Sequence, residues 1–178
     1  QVFRAGAAAH LGHNHVIEAG DLWADLIWPD AAAARASAWS KATLVLGFSL
    51  AALVIDPPAQ RARLGPDFAS VLSDADRAGT LANLRRALSA ERFPQVRVQT
   101  TRIVGEGPSL AIEAVVAWHG QVRALPLSVS LDGPRAQGRA VLRQRDFGIQ
   151  PFSVLGGLLA VRDEVVVEFE LVRSTAGS

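Results

Sequence analysis

The chain has 178 residues, 49% of them hydrophobic and 20% charged, which suits one globular domain with a sizeable apolar core and excludes intrinsic disorder. Its 18 Lys plus Arg against 17 Asp plus Glu leave a formal net charge of +1, so no global field recruits nucleic acid or another polyanion. Without Cys there is no disulfide, thiolate metal site or thiol nucleophile, and redox arithmetic says nothing about compartment.

Two further exclusions are local. The most apolar stretch, Ala42 to Ile55, is interrupted by Ser49 and is too short to span a bilayer as a helix. Arg85, Arg86, Arg92 and Arg97 form a basic excess without interleaved aromatics, which reads as a solvated face and not as a single-strand binding surface. Gln at position 1 and the absence of Met point to a trimmed N-terminus, as in an exported protein.

In chain order, the first feature is H-L-G-H-N-H, His10 to His15. Extended backbone there projects His13 and His15 to one face, a spacing compatible with two imidazoles on one metal. The competing reading is two histidines hydrogen-bonded around a turn. Ala31 to Ala38, interrupted by Arg35 and Ser37, reads as a loop or one helical turn. Leu44, Leu46, Phe48 and Leu50 alternate and give the inward face of a strand.

Over residues 65–90 the apolar spacing changes to three and four, through Phe68, Val71, Leu72, Leu81, Leu84 and Leu88, the stripe of an amphipathic helix. Ser73 and Asp76 form a capping pair, Pro66 suits a first turn, and the region is expected as two short helices joined near Gly79. Asp74 and Asp76 therefore read as solvated cap residues, not as catalytic carboxylates. Phe93 and Pro94 end the helical region. Val96 and Val98 begin another strand, and Gly105, Glu106 and Gly107 form a turn that lacks the Lys and hydroxyl of a phosphate loop.

The second half is plainer. Leu110, Ile112, Ala114, Val116 and Trp118 share one face, and Leu125, Leu127, Val129 and Leu131 share one face of the next run, so the two strands form a hairpin turning at Trp118 to Gln121, with Gly120 free to take a positive φ. Near the end, Val165, Val167, Phe169 and Leu171 oppose Glu168 and Glu170, again with period two. The predicted architecture is mainly β: an antiparallel barrel or sandwich of about eight strands with one short helical insertion over roughly 65–90, filling 1–178 as a single domain.

Several of these segments together resemble the YceI-like family. LRQRDFGI at Leu142 to Ile149 resembles its late Arg, Asp, aromatic, Gly, Ile signature; His10, Leu11 and Gly12 resemble its early H-x-G element. ERFPQVRV at Glu91 to Val98, the hairpin AWHGQVRALPL at Ala117 to Leu127, and the terminal strand Asp163 to Val172 follow in the family's order. The early strands depart from its Gly-aromatic rhythm, with Trp23, Trp28 and Trp39 in an Ala-rich context. The resemblance implies an extended lipocalin-like barrel with helices beside one opening, export to the periplasm, and a polyprenyl or fatty-chain ligand inside.

Catalytic apparatus is missing: there is no G-x-S-x-G elbow, and Asp146-Phe147-Gly148 lacks every other kinase element. Asp146 is expected to accept hydrogen bonds from Arg143, Arg145 or nearby amides beside a bend at Gly148. The expectation is non-catalytic binding or transport of a long apolar molecule, with no cofactor required and no nucleic acid partner. Ligand-facing candidates are Leu46, Phe48, Ile112, Val116 and Trp118, with Leu127, Val129, Phe147, Val167 and Phe169. The alternatives are a metal-binding protein built on His13 and His15, with a third ligand from His119, Glu18 or Asp21, or a packed barrel acting as an interaction module. An edge strand or the helical insertion offers a contact for a homodimer.

Overall fold

The structure is a computed structural model that describes residues 1–35 and 38–173; Ser37 of the expected Ala-rich turn lies outside the described residues. The strands are β1 (Val2–Ala5), β2 (Ile17–Ala19), β3 (Trp23–Ile27), β4 (Thr43–Ser49), β5 (Leu53–Ile55), β6 (Gln95–Val104) and β7 (Ser109–Trp118). β8 (Gln121–Asp132), β9 (Arg135–Arg143), β10 (Ser153–Val154) and β11 (Leu159–Val172) follow. The α-helices are α1 (Ala31–Arg35), α2 (Pro58–Arg63) and α3 (Asp74–Ala87).

Antiparallel pairing runs β1-β11-β9-β8-β7-β6-β4-β3, which is the meander expected when short turns join successive strands. The circuit also closes. Val2 and His15 exchange backbone hydrogen bonds of 2.8 and 3.0 Å, and His15 leads into β2, which pairs with β5 while its continuation β3 pairs with β4. Counting β2 with β3 and β4 with β5 as two bent strands, the described residues form an eight-stranded barrel.

Local chemistry explains the joints. The β7–β8 hairpin turns at the expected place, Trp118 pairing with Gln121, and both central residues, His119 at φ 51° and Gly120 at φ 73°, take the left-handed conformation of the turn that matches strand twist. The helical region begins earlier than the spacing predicts, at Pro58, and α3 runs through Gly79 without a break. The expected two helices split there are thus corrected. Gly79 is exposed with nothing near it, and its propensity cost of about 1 kcal/mol is too small to end a helix that the Ser73 and Asp76 capping box starts.

Packing divides into two clusters. One gathers Leu50, Leu53, Leu88, Val96, Val116, Phe147 and Ile149, with Leu81 and Leu84 of α3 against it, so the helix closes one end of the barrel. The other gathers Ile103, Leu110, Ile112 and Val129, with Trp28, Trp39 and Phe169 against it, at the opposite end. On the outer face of β9 and β11, Arg135, Arg139 and Arg143 reach Glu170, Glu168 and Glu164 at 2.7, 3.7 and 3.7 Å. That charged ladder fixes which face looks inward, since a one-residue slip would bury it.

Candidate functional site

Between the two clusters lies an open cavity of about 1750 Å³ whose lining extends from the barrel interior out to Arg135, Arg139, Glu168 and Glu170, larger than the usual range of roughly 300–1,000 Å³ for small-molecule sites. Its walls follow from the period of two. Leu46 and Phe48 from β4, Ile112, Val116 and Trp118 from β7, Leu127 and Val129 from β8, and Val167 and Phe169 from β11 all line it. Leu46, Phe48, Leu127, Val167 and Phe169 are only half-buried, although they point away from the charged outer ladder; the surface they leave uncovered faces the cavity. The packed-barrel alternative is not what this interior shows.

Phe147 is the exception among the predicted wall residues. It lies at 2% exposure in the core and outside the lining, its ring 5.2 Å from that of Trp118, so it supports the wall from behind. The reason is the 3₁₀ turn Gln144–Phe147, which breaks the alternation carrying Ala140 and Leu142 inward. At the same turn Asp146 is not the acceptor expected: Asp163 Oδ1 receives the Arg145 N–H at 2.9 Å. Gly148 does make the bend, at φ 72°. The Trp118 indole N–H is buried and finds no acceptor among the described residues.

The polar part of the site is at His15. Its Nδ1 lies 2.6 Å from Asp56 Oδ2, while Asp56 Oδ1 accepts from the Val16 amide at 2.9 Å and from Arg61 at 2.7 Å. Arg61 also donates to the Asn14 carbonyl and to Ser70, and Asn14 in turn reaches the Asp67 carbonyl. Asp56 is fully buried. Burial pushes its pKa up, but the hydrogen bonds from His15, Val16 and Arg61 outweigh burial and hold it below the ordinary carboxylate value. An ionised Asp56 can only accept, so His15 Nδ1 is the donor.

Sequence reasoning missed Asp56 and Arg61. The only local trace is Asp before Pro-Pro at the start of a helix, which reads as a routine turn; Asp56 instead takes φ 52°, and its carboxylate meets His15 and Val16, 41 and 40 positions earlier in the chain. His13 and His15 both line the cavity, with ring centroids 6.5 Å apart. Among the described residues no group of three or more His, Asp or Glu is placed to hold a metal; the third ligands considered from sequence are not assembled there. His119 is turned to the Phe147 carbonyl at 3.0 Å, and Asp21 accepts from the Ser49 amide at 3.0 Å.

Comparison with known proteins agrees with this architecture. The model of the YceI-like domain matches residues 36–173. A Burkholderia cenocepacia protein, BcnA, superposes with a TM-score of 0.56 at 15% identity, over 86% of this chain and 84% of that one. A Campylobacter jejuni YCEI protein does so with a TM-score of 0.57 at 10% identity, over 89% and 85%. Among curated proteins none matches the sequence. No helix among the described residues is long and apolar enough to cross a membrane.

Proposed function

The chain belongs to the YceI-like family, and we propose that its barrel binds and carries a long-chain apolar molecule, an isoprenoid, fatty acid or fatty amide, without catalysing a reaction on it. The observation that supports this is the open cavity of about 1750 Å³, whose interior stretch is walled by half-buried Leu, Val and Phe and whose margins are polar. Each buried methylene contributes about 0.8 kcal/mol. Ten of them give about 8 kcal/mol, on the scale of the roughly 4–15 kcal/mol that association costs. The His15 and Asp56 pair has the form of a base and its orienter, and among the described residues no hydroxyl is hydrogen-bonded to His15.

Organic extraction of the protein purified from its own cells, followed by mass spectrometry, should recover a stoichiometric long-chain compound. Repeated extraction of natively produced protein that yields no such compound would overturn the reading. The protein is further expected in the periplasmic fraction, as an exported carrier would be. The metal reading has a specific support, since Asp56 orients His15 as an outer carboxylate orients a metal-bound imidazole. Stoichiometric Zn, Cu or Fe that disappears in a His13→Ala, His15→Ala variant would favour it over the carrier.

A further inference from the structure

We propose that His15 is the polar handle of the cavity and binds the carboxylate of a long-chain acid; this rests on the carrier reading above. The imidazole bridges two environments. Nδ1 is taken by Asp56, and Asp56 lines the small outer pocket beside Arg61 and Phe68 but not the cavity, whereas His15 does line the cavity. His15 thus has its Nδ1 committed to a carboxylate that does not line the cavity, while the residue itself does. The hydrogen bonds of the described residues leave Nε2 without a partner.

Because Asp56 fixes the proton on Nδ1, neutral His15 presents a lone pair at Nε2, and a protonated His15 presents a second N–H there. An entering carboxylic acid can give its proton to that lone pair, becoming a carboxylate that accepts the same proton in a charge-assisted hydrogen bond. Charge then balances within the cluster: Asp56 against Arg61, and the imidazolium against the ligand. Around this end the lining also carries Arg4, Arg63 and His13 against Glu18, with Arg4 held at the Gly12 carbonyl at 2.8 Å. The surroundings thus favour an anionic head over a cationic one, and the apolar wall takes the tail.

The test compares hexadecanoic acid with its methyl ester, which has the same chain and no proton to give, by titration calorimetry on the full chain stripped of endogenous lipid. The wild type should prefer the acid by about tenfold, the scale of one hydrogen bond to a charged group. His15→Leu and His15→Gln should lose that preference while keeping their affinity for the ester. Equal binding of acid and ester by the wild type, or a preference that survives both substitutions, would overturn the assignment while leaving the carrier intact. Binding of neither compound would overturn the carrier reading and this one with it.

Discussion

The ring of Phe169 lies over the backbone of Gly138, its partner across the β9–β11 ladder. A Cβ on Gly138 would fall 2.7 Å from Phe169 Cε1, closer than van der Waals contact, so the aromatic covers the gap a missing side chain leaves in the sheet. Gly138→Ala should drive the ring into the cavity and lower stability by about 1–3 kcal/mol, read by urea denaturation. An unchanged midpoint would mean that the ring has room to move freely.

Leu46 lines the cavity but belongs to neither core cluster, so it touches the space a ligand would occupy more than the protein's own packing. Leu46→Trp should therefore leave the fold in place and displace about four methylenes of tail, a loss near 3 kcal/mol or about a hundredfold in affinity. Calorimetric titration with a fatty chain checks this, and an undiminished affinity would place the ligand elsewhere.

Asp56→Asn leaves the Arg61 guanidinium buried without its anion, which should cost about 3–5 kcal/mol. Glu168→Gln on the exposed outer ladder should cost no more than about 1 kcal/mol, because solvent screens that pair. Paired denaturation curves of the two variants make the contrast, and similar losses would contradict the burial-based account.

Acid should loosen the same cluster. The folded protein holds the Asp56 pKa below the value of the unfolded chain, so the native state binds fewer protons and the stabilisation is fully present above about pH 4. It is lost as pH falls from there through the lower, folded value. Thermal melts between pH 7 and 2 should show a drop on the acid side that Asp56→Asn no longer shows.

Trp118→Phe removes an N–H that has no acceptor and keeps an aromatic beside Phe147. A buried donor left unsatisfied costs about 1–3 kcal/mol, so the substitution should be neutral or stabilising despite the smaller ring. A large loss of stability would mean the indole is valued for its volume alone.

What the sequence reveals here tracks how local the physics is. Alternation in Leu110 to Trp118 and Val165 to Leu171, with Gly120 at the tip of the hairpin, carries strands, faces and turn, and places Ile112, Val116, Trp118, Val167 and Phe169 along the cavity. Phe147 is misplaced because a short 3₁₀ turn shifts its phase, and Gly79 misleads because a glycine on an exposed helix face costs little. The Asp56, Arg61 and His15 cluster is invisible for a different reason: its members are held together by long-range closure of the barrel, and no periodicity encodes which distant carboxylate a histidine will meet.

The seam between Val2 and His15 has a mechanical consequence. A cylinder fastened along most of its length by continuous ladders, but at one join by one reciprocal pair of amides and two bonds from Arg4 to Asn14 and Gly12, will part there first. What keeps that fastening shut is anchored outside the wall, where Asp56 grips the Val16 amide and Arg61 grips the Asn14 carbonyl. The buried ions thus act on the barrel as a clasp acts on a hoop, and the tightness of the container is set by groups that never touch its contents.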